Sequence, residues 1–109
     1  MRKILQDYQD EVHDWIKQFD PAYWTPHEIL THLTSELGEL AKEINHEFGP
    51  LKKKKGEKES SISEEVGDIF FGLICLMNSQ TLSLDAAFTK AMEKRRGRDK
   101  RRFKLARKR

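Results

Sequence analysis

The stretch SISEEVGDIFFGLICLMNSQ, residues 61–80, decides the fold. It reads as a helix that is apolar almost all the way round, opened by Ser61 and Glu64 at the spacing of a capping box. Its first turns nevertheless carry Glu64, Glu65 and Asp68, acids in the helix that most needs burial. The same conflict occurs once before, in THLTSELGELAKEI, where Glu36 and Glu39 interrupt a run of leucines.

Working outward, three more helical segments follow from periodicity and stop signals. Residues 2–19 place Ile4, Leu5, Tyr8, Val12, Trp15, Ile16 and Phe19 on one face and end at Asp20-Pro21. Thr25 as N-cap and Pro26 at the first helical position start a second helix, which runs to residue 47 before Gly49-Pro50. LKKKKGEKESS is a polar loop, and the helix over 61–78 follows it. Ser83 and Asp85 open a fourth helix that extends towards Gly97. Nothing alternates with period two, so no strands are expected. The reading is all-α: an antiparallel four-helix bundle over residues 1–99 with a basic C-terminal tail over 100–109.

Bulk properties exclude several function classes. The longest apolar run, residues 69–77, is too short beside the roughly 20 residues of a membrane span, so no membrane partner is expected. A single cysteine, Cys75, forms no internal disulfide and points to a reducing cytoplasm. Residues 94–109 hold eleven of the 21 Lys and Arg and one of the 18 acids, a net +10, which leaves −7 on residues 1–93. Such tails are usually solvated; contact of this one with nucleic acid is the minor alternative.

On a helix, residues three apart share a face, so Glu36 with Glu39 and Glu65 with Asp68 form two side-by-side pairs. The apolar arc of the second helix is Ile29, Leu30, Leu33, Leu37, Leu40 and Ile44, with Glu36 about 20° outside it. His32, Glu36, Glu39 and Glu43 thus border the core. On the third helix, Ser61, Glu65, Asp68, Gly72, Cys75 and Ser79 lie opposite Val66, Phe70, Leu73 and Met77. Every residue on that face is acidic or small, which leaves room for another helix or a ligand. If the two helices pack through these edges, four carboxylates converge. Each like-charged pair at about 4 Å costs about 4 kcal/mol at an effective dielectric near 20, against a total stability of about 5–15 kcal/mol. A cation resolves the repulsion, and all-carboxylate ligation suits Mg²⁺ or Mn²⁺ rather than zinc. The competing reading is that both pairs are solvated faces.

The order E-x-x-E, loop, E-x-x-D in LTSELGELAKEINH…SEEVGDIFFGLICLMNS resembles the MazG-like all-α nucleoside triphosphate pyrophosphatases, in particular their YpjD-like branch. The resemblance implies hydrolysis of a (deoxy)nucleoside triphosphate to a monophosphate and pyrophosphate. It also implies Mg²⁺ held by Glu36, Glu39, Glu65 and Asp68, one of which acts as base. Lys90, Lys94 and Arg98 at i, i+4 and i+8 offer fixed cations for phosphate, and Lys94 and Arg98 match a K-A-N-x-K-x-x-x-R pattern of the family. Met92 and Cys75 stand where that family often has asparagines. Asn78 is a substitute for substrate binding, although a helix C-terminal cap is its simpler reading. His13, Trp15 and Trp24 could line a base pocket, but aromatic residues at helical spacing are more often core.

The expectation is therefore a Mg²⁺-dependent nucleotide pyrophosphohydrolase whose small bundle gains core as a homodimer or dimer of dimers. The alternative is a non-enzymatic helical module that presents its basic tail to nucleic acid or an acidic partner.

Overall fold

The computed structural model describes residues 4–50, 52–53, 61–98 and 101–102. Four helices follow one another, α1 (Leu5–Ile16), α2 (Pro26–Phe48), α3 (Ile62–Ser79) and α4 (Leu84–Arg96), and no strand occurs among the described residues. Most of the expected polar loop and of the basic tail lies outside them. No single described helix is long and apolar enough to cross a membrane.

The start signals act as the sequence predicts. Thr25 Oγ1 accepts from the Glu28 amide at 3.3 Å, while the Thr25 amide donates back to Glu28 Oε1 at 3.1 Å, a complete capping box with Pro26 inside it. The α3 box is formed by half: Ser61 Oγ accepts from the Glu64 amide at 3.0 Å. Ser83 caps α4 through the Ala86 amide at 3.1 Å. Helix α1 is shorter than periodicity alone suggests, because residues 17–23 leave the helical path in a series of turns before α2. Helix α3 ends in a Schellman motif, with the Leu82 amide donating to the Met77 carbonyl at 2.9 Å and the Thr81 amide to the Asn78 carbonyl at 3.1 Å. Thr81 takes the left-handed position at φ 52°, where a β-branched residue is uncommon.

Packing centres on α3, which lies between α2 and α1, while α4 rests on α1 after the chain turns through 110°. Leu33 meets Gly72, whereas Glu36 meets Glu65 and Asp68, so α2 and α3 run antiparallel. Ile29, Leu33 and Cys75 form the buried centre, with Val12, Ile16, Tyr23, Ile69 and Leu76 against it. A polar bracket ties the other elements together. Buried Gln9 donates through Nε2 to Asn78 Oδ1 at 2.8 Å and to the Leu82 carbonyl at 2.9 Å, and its Oε1 accepts from the Leu84 amide at 2.9 Å.

Helix α3 meets α2 through its small and acidic face, and Ile29 and Leu33 of the expected apolar arc are buried there. Glu65, Gly72 and Cys75, on the small and acidic face, are buried, as are Ile29, Leu33 and Glu43 on α2. Val66, Phe70 and Leu73, on the opposite side of α3, are exposed, and so are Leu30, Leu37 and Ile44 of the expected arc of α2. The physical reason is distance of approach. A Cβ at Gly72 would lie 2.6 Å from Leu33 Cδ2, so the helices touch where α3 has no side chain. Bulkier residues would hold them apart.

This contact separates two glycines of the same helix. Gly67 has open space where a Cβ would stand, so Gly67→Ala should gain about 0.5–1 kcal/mol from helix propensity. Gly72→Ala should lose that gain to overpacking of about 1–3 kcal/mol against Leu33. Thermal melting of both variants checks this, and equal stabilisation would contradict the close approach.

Candidate active site

Carboxylate oxygens of Glu36, Glu65 and Asp68 lie within 4.8 Å of one another at the α2–α3 seam. Helical spacing sets this up: Glu36 sits seven residues after Ile29 and seven before Glu43, on the buried stripe itself rather than beside it. Glu65 is buried opposite, and Asp68, one turn on, is exposed at the edge. Glu39, expected as a fourth member, is exposed and outside the converged group. Buried Glu43 meets Lys53 Nζ at 3.0 Å, so this acid already has its counter-charge.

Electrostatics match the geometry. Burial pushes the Glu36 carboxyl above its ordinary value, the hydrogen bond and negative charge of Glu65 push it further, and Asp68 adds to this, while His32 pulls it down. Two carboxylates share a hydrogen bond only when one holds a proton. His32 Nε2 approaches Glu36 Oε1 at 3.6 Å, with the imidazole half-exposed. A donor set of carboxylate oxygens alone fits a hard cation. Ligands across an ion at about 2.1 Å stand about 4.2 Å apart, a small closure from the spacing here.

His32 also lines the neighbouring cavity, a space of about 330 Å³ walled by Trp15, Phe19, Trp24, Phe71, Gly72 and Cys75 among others. The tryptophans are therefore not core: Trp15 is 54% and Trp24 55% exposed. Trp24 stands edge-on to His32 at 5.6 Å, and Trp15 edge-on to Phe71 at 6.1 Å. His13 lies elsewhere, accepting or donating at 2.8 Å to the Tyr23 hydroxyl. Sequence reasoning placed His32 on the acidic stripe without a role and missed Phe71. The i, i+4 spacing of His32 to Glu36 was a usable signal; Phe71 had none.

Asn78 is not a helix cap, since Gln80 occupies that position. Its Nδ2 donates to the Gln9 carbonyl at 3.0 Å and the Tyr23 hydroxyl at 3.1 Å, and its Oδ1 accepts from Gln9, so its polar atoms are engaged within the fold. Burial raises the Tyr23 phenol while Asn78 opposes it. Lys90, Lys94 and Arg98 are exposed on and just after α4, and none lines the cavity beside the acids.

The class of this all-α chain, with an acid cluster on its second and third helices, follows from its likeness to known proteins. Residues 24–103 match the MazG nucleotide pyrophosphohydrolase domain, so the chain belongs to that family. It is 45% identical over 101 residues to the protein YpjD of Bacillus subtilis, covering 93% of this chain and 91% of that one. The crystal structure of YpjD from Bacillus subtilis superposes with a TM-score of 0.76 at 44% identity, covering 86% of this chain and 96% of that chain. A Bacillus-conserved MazG protein, a nucleotide pyrophosphohydrolase, superposes with a TM-score of 0.73 at 40% identity, covering 85% of this chain and 90% of the other. The chain is a nucleotide pyrophosphatase.

The Glu36 proton has a measurable consequence. Native Glu36 binds its proton more tightly than the unfolded chain does, so above the ordinary value of 4.5 stability falls as pH rises. The loss is complete once pH passes the native value, with a slope of no more than about 1.4 kcal/mol per pH unit from this group. Melting in chelator from acid to neutral pH should show the decline. Glu36→Gln should flatten it, and an unchanged slope would place the carboxyl in ordinary solvent.

Proposed function

We propose that the enzyme hydrolyses (deoxy)nucleoside triphosphates to monophosphate and pyrophosphate with Mg²⁺, Mn²⁺ being the natural substitute. The observation that carries this reading is the contact of three converged carboxylates with an aromatic cavity through His32. Glu36, Glu65 and Asp68 hold the ion, and exposed Glu39, one turn from Glu36, completes the set from the solvent side. A bound Mg²⁺ supplies charge for the leaving pyrophosphate and lowers the pKa of an attacking water. One carboxylate of the cluster takes the proton from that water. The aromatic cavity receives the base, and Lys90, Lys94 and Arg98 supply fixed positive charge for the phosphates. Asn78 serves through Tyr23, as its engaged polar atoms argue.

The exposed stripe of Leu30, Leu37, Ile44, Val66 and Leu73 supports a homodimer or dimer of dimers. A cytoplasmic setting follows from a nucleotide substrate and a free buried thiol at Cys75. The reading of a non-enzymatic module with solvated acids has no support from a cluster whose Glu65 is buried.

Two measurements test these assignments. Across NTPs and dNTPs, pyrophosphate release should require Mg²⁺ and vanish in EDTA, and Asp68→Asn should lose at least about 100-fold in turnover, beyond the usual cost of disturbing a metal site's surroundings. Release of orthophosphate would mean cleavage at the γ phosphate and end the assignment. Light scattering at micromolar concentration should give a dimer or tetramer, with Leu37→Glu shifting it towards monomer; a monomeric wild type would refute the apolar stripe as an interface.

A further inference from the structure

The closing turn of α4 carries more positive charge than a triphosphate site accounts for. Lys90, Lys94 and Arg98 follow one another in a stripe, at steps of about 40° round the helix. Arg95 and Arg96 stand about 100° and 200° from Lys94, so cations surround the C-terminal end of α4. All five are exposed, as are Arg101 and Arg102, and Glu93 is the one acid among the described residues 90–98 and 101–102. A triphosphate bound in one place uses the stripe and leaves the other sides without a role. The helix dipole does not explain them either. It favours cations in the last turn and fades beyond it, whereas Arg98, Arg101 and Arg102 come after the C-cap at Gly97. Nothing on α4 is buried, and two of its ties to α1 are at its start, where the Leu84 amide donates to Gln9 Oε1 at 2.9 Å and Asp85 Oδ2 accepts from the Gln6 amide at 3.1 Å. The basic end is thus presented to solvent.

We propose that this end is a docking surface for the phosphate backbone of nucleic acid, separate from the triphosphate site and centred on Arg95, Arg96, Arg101 and Arg102. Charge density argues for this partner. Lys94, Arg95 and Arg96 put three charges on about 4.5 Å of helix axis at about 1.5 Å per residue, and duplex DNA offers about one negative charge per 1.7 Å. Seven of the eleven cations over residues 94–109 are arginines, whose planar forks match phosphate oxygens two at a time. An anionic lipid surface fits less well. A helix that lies on one needs an apolar face opposite its charges, and cations ring this end. Sequence is read by bonds to base edges, and residues 94–109 contain no Asn, Gln, Ser or Thr for that purpose, which favours the backbone over any particular sequence.

Anisotropy of a short fluorescein-labelled DNA duplex, titrated with the full chain at about 0.15 M salt, tests this. Binding should fall in the range of about 10⁻⁶–10⁻⁴ M and be equal for two unrelated sequences. The slope of log K against log salt should be about −3.5 or steeper, since each of four phosphate contacts contributes about −0.9. Joint replacement of Arg95, Arg96, Arg101 and Arg102 by Gln should remove most of that slope and weaken binding at least about tenfold, with pyrophosphate release kept within about threefold. Lysine at the same four positions keeps the charge and should retain most of the affinity. If the four glutamines lower the melting temperature, Arg101→Gln with Arg102→Gln, beyond the helix, should give about half the loss of slope. No change in anisotropy up to about 10⁻⁴ M, or a glutamine variant that binds as tightly as the wild type, overturns the proposal. So does preferential capture of the protein by competing phosphatidylserine vesicles, which would make lipid the partner. Dissociation of an oligomer by the four substitutions with DNA binding unchanged would make this end a contact between copies and overturn it as well. Loss of turnover in the glutamine variant would merge these arginines with the hydrolytic site, against the separation proposed.

Discussion

Three carboxylates within 4.8 Å of one another at a helix–helix seam must be neutralised, and most of the architecture follows from that requirement. A bundle with a stability of about 5–15 kcal/mol has little margin for unrelieved repulsion of this kind. The chain shows two forms of relief side by side. Glu43 is paired with Lys53 at 3.0 Å, whereas burial and the neighbouring Glu65 hold the Glu36 carboxyl above its ordinary value and so favour its neutral form. A cation held by these carboxylates would compete with protonation of Glu36.

The seam also dictates where apolar surface goes. Helices that touch at Gly72 have no room for large side chains between them, so Val66 and Leu73 turn outward along with Leu30, Leu37 and Ile44. At about 100° per residue on antiparallel helices, these five fall on one side of the α2–α3 pair, while His32, Glu39, Asp68 and Cys75 fall on the other. A partner that covers the apolar side would leave the acids and the aromatic cavity open to substrate. The face that needs covering and the face that must stay open are thus kept apart by the same helical phase.

How far all this was legible depends on the kind of signal. Helix positions could be read because Thr25, Ser61 and Ser83 cap locally, through bonds spanning three residues. Glu36, Glu65 and Asp68 could be read because charge on an apolar helix is locally anomalous. The burial of Glu65 could not, since a face of acids and small residues admits a helix or a ligand alike and only the close contact of Gly72 with Leu33 shows that a helix fills it. Glu39 shows the limit of spacing: it follows Glu36 by three residues, yet only Glu36 lies on the buried stripe. The cavity was illegible for another reason. Trp15, Trp24, His32 and Phe71 come from three helices and a loop, and no local pattern records that they meet.

The two halves of the site rest on different supports, and this bears on how each can change. The acids project from α2 and α3, whose separation is set by the close approach of Leu33 to Gly72, so the spacing of the carboxylates tolerates little adjustment. The outer pocket wall, with Phe19, Pro21, Ala22 and Trp24, belongs largely to the turns over 17–25. Those turns are tied in by a polar chain: the Tyr23 hydroxyl bonds His13 and accepts from Asn78, Asn78 is bonded to Gln9, and Gln9 reaches Leu82 and Leu84 beyond α3. Substitution along that chain can move the wall without moving a carboxylate. The cavity wall and the carboxylates can therefore change independently, because the acids sit on packed helices and the outer wall on a loop.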